Sequence, residues 1–180
     1  MRGKTHARRT ADIRRREGKG YAYEGAWERL TGPVPRRVAL ARMGACVAVA
    51  VACVVVPGVL PVKGLVGTLN VTLTYAAEAV AVVAVLWTFA RLAHAGEPMR
   101  AYVREETAGR LPGRALVAAF FAAATTVGDV VRLVAGGPAP DAYEVVFLAC
   151  GLVATVALGA LWRLSSGLVW ERTEAPGAEG

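Results

Sequence analysis

Histidine is nearly missing from this chain, and cysteine is sparse and unpaired. Only His6 and His94 occur among 180 residues, too few to assemble a zinc or haem ligand set. Cys46, Cys53 and Cys150 form no C-x-x-C pair and lie within apolar runs, where they read as small reduced residues rather than thiol–disulfide machinery. No glycine-rich phosphate loop occurs either, since Gly136 and Gly137 share their segment with Pro138 and Pro140 and read as a turn. Ser165 and Ser166 fall at the same membrane level as His94, yet a nucleophile also needs an orienting acid and an oxyanion site. The sequence thus implies no cofactor, no metal and no recognisable catalytic set.

Long apolar runs are what the chain has instead. Hydrophobic residues make up 55% of it, and mean hydropathy is +0.42 despite two polar tails. The apolar residues gather into four blocks, each near the roughly 20 residues that cross a hydrocarbon core of about 30 Å. The first, 43–62, follows Arg36, Arg37 and Arg42 and meets Pro57 and Pro61 in its last turns, where they end or kink a helix. The second, 69–90, ends with Trp87 and Phe89 as interface aromatics before Arg91. The third, 115–135, is rich in alanine; the fourth, 143–164, opens at Tyr143 and Glu144 and closes at Trp162 and Arg163. Runs this long and this poor in turn residues satisfy their backbone groups as helices. The predicted fold is therefore all-α, a four-transmembrane-helix bundle with antiparallel up-down topology, occupying 38–164 between a leader, 1–37, and a short tail, 165–180.

Lysine and arginine set the orientation. Residues 1–37 hold 11 of the 21, the connection 91–114 holds 5 and the tail from Arg163 holds 2, whereas the other two connections hold only Lys63. Both termini and the middle loop are accordingly expected in the cytoplasm, with the chain multi-pass in a cell membrane. A cleaved signal peptide does not fit so long a basic leader without an A-x-A site. Residues 1–20, with 8 basic and 2 acidic side chains, are expected to be largely disordered and to touch anionic lipid headgroups. A nucleic-acid arm is disfavoured because no stacking platform or folded module accompanies the charge. Tyr21, Tyr23, Trp27 and Leu30 suggest an interfacial segment near 21–30. In the middle loop, Pro98 opens a short expected helix carrying Met99, Tyr102, Val103 and Glu106 on one side.

The charges inside the spans carry the most information. Glu78 lies 9 residues from Leu69, and Asp129 lies 6 from Ala135, which at 1.5 Å per residue places both within about 5 Å of one depth. Arg132 is one turn outward from Asp129, and Tyr75 one turn outward from Glu78. Asn70, Thr74 and Glu78 recur at spacing four, while Thr125, Asp129 and Arg132 form a matching stripe. An isolated Asp or Arg at mid-membrane costs about 2.5–3.5 kcal/mol, so the two stripes are expected to face each other as one polar cluster. Two acids against one base leave a carboxyl in excess, which must hold a proton or bind a cation. The cluster therefore either fastens helices or handles a proton.

Gly151, Thr155 and Gly159 also repeat at spacing four and offer a small-residue stripe, for packing within the bundle, for a homodimer or for a membrane protein partner. The favoured reading is a non-enzymatic accessory or scaffolding subunit. The alternative is a proton- or cation-linked small-solute transporter using Glu78 and Asp129; a membrane hydrolase using them as an acid pair comes third.

Overall fold

The computed structural model describes residues 13–16, 20–23, 26–136 and 139–173. Three strands come first, β1 (Ile13–Arg16), β2 (Gly20–Tyr23) and β3 (Trp27–Leu30), followed by α1 (Arg36–Val59), the short α2 (Lys63–Gly67) and α3 (Leu69–His94). The middle connection contains β4 (Met99–Arg100) and α4 (Ala101–Glu106), after which come α5 (Leu111–Val134), α6 (Ala142–Ser166) and β5 (Trp170–Thr173). The four long helices pack antiparallel in a ring, α1 against α3, α3 against α5, α5 against α6, and α6 back against α1. At 24 to 26 residues each, they run about 36–39 Å, enough to cross a hydrocarbon core. All four are long and apolar enough to be membrane spans. The chain is a polytopic membrane protein.

The middle of α5 turns small residues inward. Along α5, Ala115, Ala118 and Ala122 are fully buried, while the larger Leu116, Phe120, Val127 and Val131 are exposed. A soluble bundle would hide the large groups; here lipid solvates them, and small residues let helix backbones approach. Met43, Val47 and Ala50 of α1, Val82 and Val85 of α3, and Leu158 and Leu161 of α6 complete the core.

Helix boundaries differ from the sequence expectation mainly at the basic end. Helix α1 begins at Arg36, seven residues before the apolar block, and contains Arg37 and Arg42. Long basic side chains extend beyond the hydrocarbon while their backbone stays helical, so a hydropathy boundary underestimates the helix. At the opposite end Pro57 stays within α1, and Leu60 turns to extended backbone just before Pro61. Helix α5 ends at a turn where Gly136 adopts φ 94°, a conformation that suits glycine.

The basic end is also where β structure occurs. Strand β3 lies between β4 and β5 in an antiparallel sheet, with Glu28 opposite Arg172 and Arg29 opposite Glu171, and the Glu28 carboxylate paired with Arg104 of α4. The sheet gathers the segment before α1, the middle connection and the segment after α6 at one end of the bundle. Trp27–Leu30, within the expected interfacial segment near 21–30, is a strand of this sheet. Met99, expected on a helix, is in β4 and buried, with the helix starting two residues later. Likewise β1 and β2 pair, from Ile13 opposite Tyr23 to Arg16 opposite Gly20, within a leader expected to be disordered; a ladder joins backbone groups, which a count of charged side chains does not register. Residues 1–12, 17–19, 24 and 25 of that leader lie outside the described residues.

Candidate functional site

At the end opposite the sheet, short connections bring α2, the end of α5 and the start of α6 together. Arg132 donates from Nε to Asp129 Oδ1 at 2.8 Å and from Nη2 to Glu144 Oε1 at 2.6 Å. Both acids are wholly buried, and the arginine side chain is only 12% exposed. The planar guanidinium suits this arrangement because its donors are fixed in a fork that can engage two carboxylates at once. Glu144 Oε1 accepts a further hydrogen bond, 3.2 Å from the backbone N–H of Gly64 in α2.

Gly64 covers the ion cluster at close quarters. A Cβ at this position would collide with Asp129 Oδ1 and approach the Arg132 guanidinium at 3.0 Å. Only a residue without a side chain lets the α2 backbone rest on the charges. On the neighbouring surface, Lys63 pairs with Asp141 at 3.2 Å. Asp141 in turn caps α6 by accepting from Tyr143 N at 3.0 Å and Glu144 N at 3.1 Å. The backbone N–H of Glu144, and then Lys63, hold the Asp141 carboxyl below the usual aspartate range.

Asp129 and Arg132 therefore meet as a pair one helical turn apart, and the second acid on Arg132 is Glu144. Glu78 lies elsewhere, 3% exposed and facing the Thr125 hydroxyl. Since Thr125 precedes Asp129 by one turn on α5, Glu78 sits about 6 Å deeper than Asp129, close to the offset the residue count implies, and meets the Thr125 part of the facing stripe. Thr125 also donates to Phe121 O at 2.9 Å. Tyr75 donates to Val54 O at 2.5 Å and its ring lies 6.0 Å from that of Phe147. Gly58 gives it room, as a Cβ there would come within 2.7 Å of the phenol oxygen. Tyr75 thus ties α3 to α1 and does not join Arg132. Thr74 donates to Asn70 O at 2.9 Å within its own helix, and Asn70 is exposed, so the outward part of that stripe does not enter the cluster.

In the small-residue stripe, a Cβ at Gly151 would strike Thr126 of α5, whereas nothing lies within 4 Å of one at Gly159. Thr155 donates to Gly151 O at 2.8 Å. The stripe packs inside the bundle at Gly151 and faces open space at Gly159. The three cysteines are free thiols, with Cys53 and Cys150 meeting between α1 and α6.

Glu144 is the site residue that sequence reasoning passed over. It stood beside Tyr143 at a span boundary and read as an interface pair. The available signal was its place three residues after Asp141 in D-A-Y-E, a helix-start pattern, separated from Arg132 only by the turn between α5 and α6. Arg114 was also passed over; it donates to Ala84 O at 3.2 Å and to Thr88 Oγ1, so a basic residue near the sheet end satisfies groups on α3. Among the described residues, no cluster of three or more His, Cys, Asp or Glu could hold a metal ion. Two acceptors in the polar region, Asp129 Oδ2 and Glu144 Oε2, are buried without a hydrogen-bond partner. Comparison with protein-family models, curated proteins and solved structures gives no match.

Proposed function

We propose that this chain is a small non-enzymatic accessory or scaffolding subunit of a cell membrane, with both ends in the cytoplasm, whose intramembrane charges fasten its helices together. The observation that carries this reading is the seating of the Gly64 backbone directly on the Asp129–Arg132–Glu144 cluster. A group that must exchange ions with solvent needs room to be reached, whereas a fastening benefits from being covered. Removing one member of a buried ion pair leaves an uncompensated charge, so each charge holds the others in place. The orientation is supported by the concentration of basic residues in the three segments gathered at the sheet end, with Lys63 at the other.

A proton- or cation-linked transporter is the second reading. It is favoured by the unpartnered Asp129 Oδ2 and Glu144 Oε2 and by Glu78, which has no ion-pair partner among the described residues. Reconstituted vesicles separate the two. On the fastening reading, Asp129→Asn lowers folded protein in the membrane, Glu78→Gln changes it little, and neither variant alters proton or cation flux. If both variants instead accumulate normally and abolish a flux that the wild type supports, transport replaces fastening. Purification with one stoichiometric membrane partner is the result expected for an accessory subunit.

A further inference from the structure

At the sheet end, a cavity of about 470 Å³ opens between the first turns of α1, the last turns of α6 and the residues joining β3 to α1. Its wall is mainly apolar, with Met43, Leu164 and Leu168 among the lining side chains, and contains no acidic residue. Two cations interrupt it, Arg42 from α1 and Arg163 from α6. Both are exposed, and neither guanidinium has a carboxylate partner among the described residues. Arg36, by contrast, is engaged by Leu92 O, Ala95 O and Glu97. The groove lies at the basic ends of the spans, and arginine side chains at such helix ends reach the level of lipid phosphates.

We infer that this groove binds one anionic phospholipid, its phosphate held between Arg42 and Arg163 and the start of an acyl chain laid against the apolar wall. The charge arrangement selects the occupant: two unneutralised guanidiniums match a phosphate, and the apolar surface between them matches a chain that a free phosphate lacks. The volume falls toward the lower part of the roughly 300–1,000 Å³ typical of small-molecule sites, so the site takes the glycerol and upper chain, leaving the rest in the bilayer. This is a defined site on the folded bundle, separate from diffuse attraction to the basic leader.

The test is native mass spectrometry of the full chain in non-ionic detergent, titrated with phosphatidylglycerol, phosphatidylcholine or inorganic phosphate. Two surface arginines give phosphatidylglycerol a roughly 10- to 30-fold advantage over phosphatidylcholine, with one lipid retained per chain and no displacement by inorganic phosphate. The double variant Arg42→Gln, Arg163→Gln loses that advantage. So does Leu164→Trp, which fills the groove and keeps both charges, whereas Arg37→Gln, outside the groove at the same end, retains it. Unchanged phosphatidylglycerol retention in the double variant would overturn the inference. So would an equal loss in Arg37→Gln, displacement by inorganic phosphate, or a lipid-free dimer whose formation Leu164→Trp prevents.

Discussion

The two ends of the bundle use the same chemistry, arginine against carboxylate, in opposite settings. At the α2 end Arg132 bridges two wholly buried acids under a glycine backbone. At the sheet end most ion pairs are more open, as with Arg91 and Glu106 at 3.4 Å, where the arginine side chain is 47% exposed, and with Arg36 and Glu97, each about a quarter exposed; only Glu28, paired with Arg104, is largely buried there. Pairs open to water contribute about 0–1 kcal/mol, whereas breaking a buried pair costs several times that. The first end should therefore hold the bundle and the second should orient chain segments.

The strongest way to break this contrast is Arg132→Met. It leaves Asp129 and Glu144 buried without a counter-charge and should cost about 3–5 kcal/mol, read as loss of folded protein in a detergent thermal melt. Gly64→Ala comes next, because the added methyl must displace either the α2 backbone or the ion cluster; a cost of about 1–3 kcal/mol is expected, with exchange protection lost first in Lys63–Gly67. At the sheet end, Arg172→Glu places like charges opposite Glu28 and should cost about 0.2–1 kcal/mol. Hydrogen exchange should rise in β3 and β5 while the four long helices remain protected.

Glu78 is a buried acid without an ion-pair partner among the described residues, and Glu78→Gln removes its charge alone. The amide can still meet Thr125, so a change of less than about 1 kcal/mol is expected, measurable by the same melt. The smallest effect concerns Asp141. Its carboxyl is held below the usual range by the Glu144 backbone N–H and by Lys63, so its contribution is complete above the unfolded value of about 3.9 and fades as pH falls through the lower folded value. A shallow loss of stability on acidification below about pH 4, missing in Asp141→Asn, is the expected observation.

The four-helix antiparallel bundle was legible because twenty-residue apolar runs admit few other structures in lipid. The Asp129–Arg132 pairing was legible for a local reason, since a spacing of three places both on one helix face. Glu144 was not, because it reaches Arg132 through the tertiary meeting of α5 and α6, and at a span boundary an acid reads as solvated. The outer ends of α3 and α5, Leu69 and Val134, stand within one residue of the expected ones, so Glu78 misses Arg132 through the one-turn offset in depth that the residue count already contains, not through a misplaced span end. The sheet was hidden for another reason: β3, β4 and β5 contribute four, two and four residues from distant parts of the chain, and none carries an apolar alternation long enough to register.

Whether buried charges at the α2 end fasten the helices is decided by comparing detergent unfolding of Arg132→Met with that of the triple variant Asp129→Asn, Arg132→Met, Glu144→Gln. The single variant should unfold at the lowest temperature, and the triple should recover part of the loss because no lone charge stays buried. An Arg132→Met protein that unfolds together with the wild type would contradict the account.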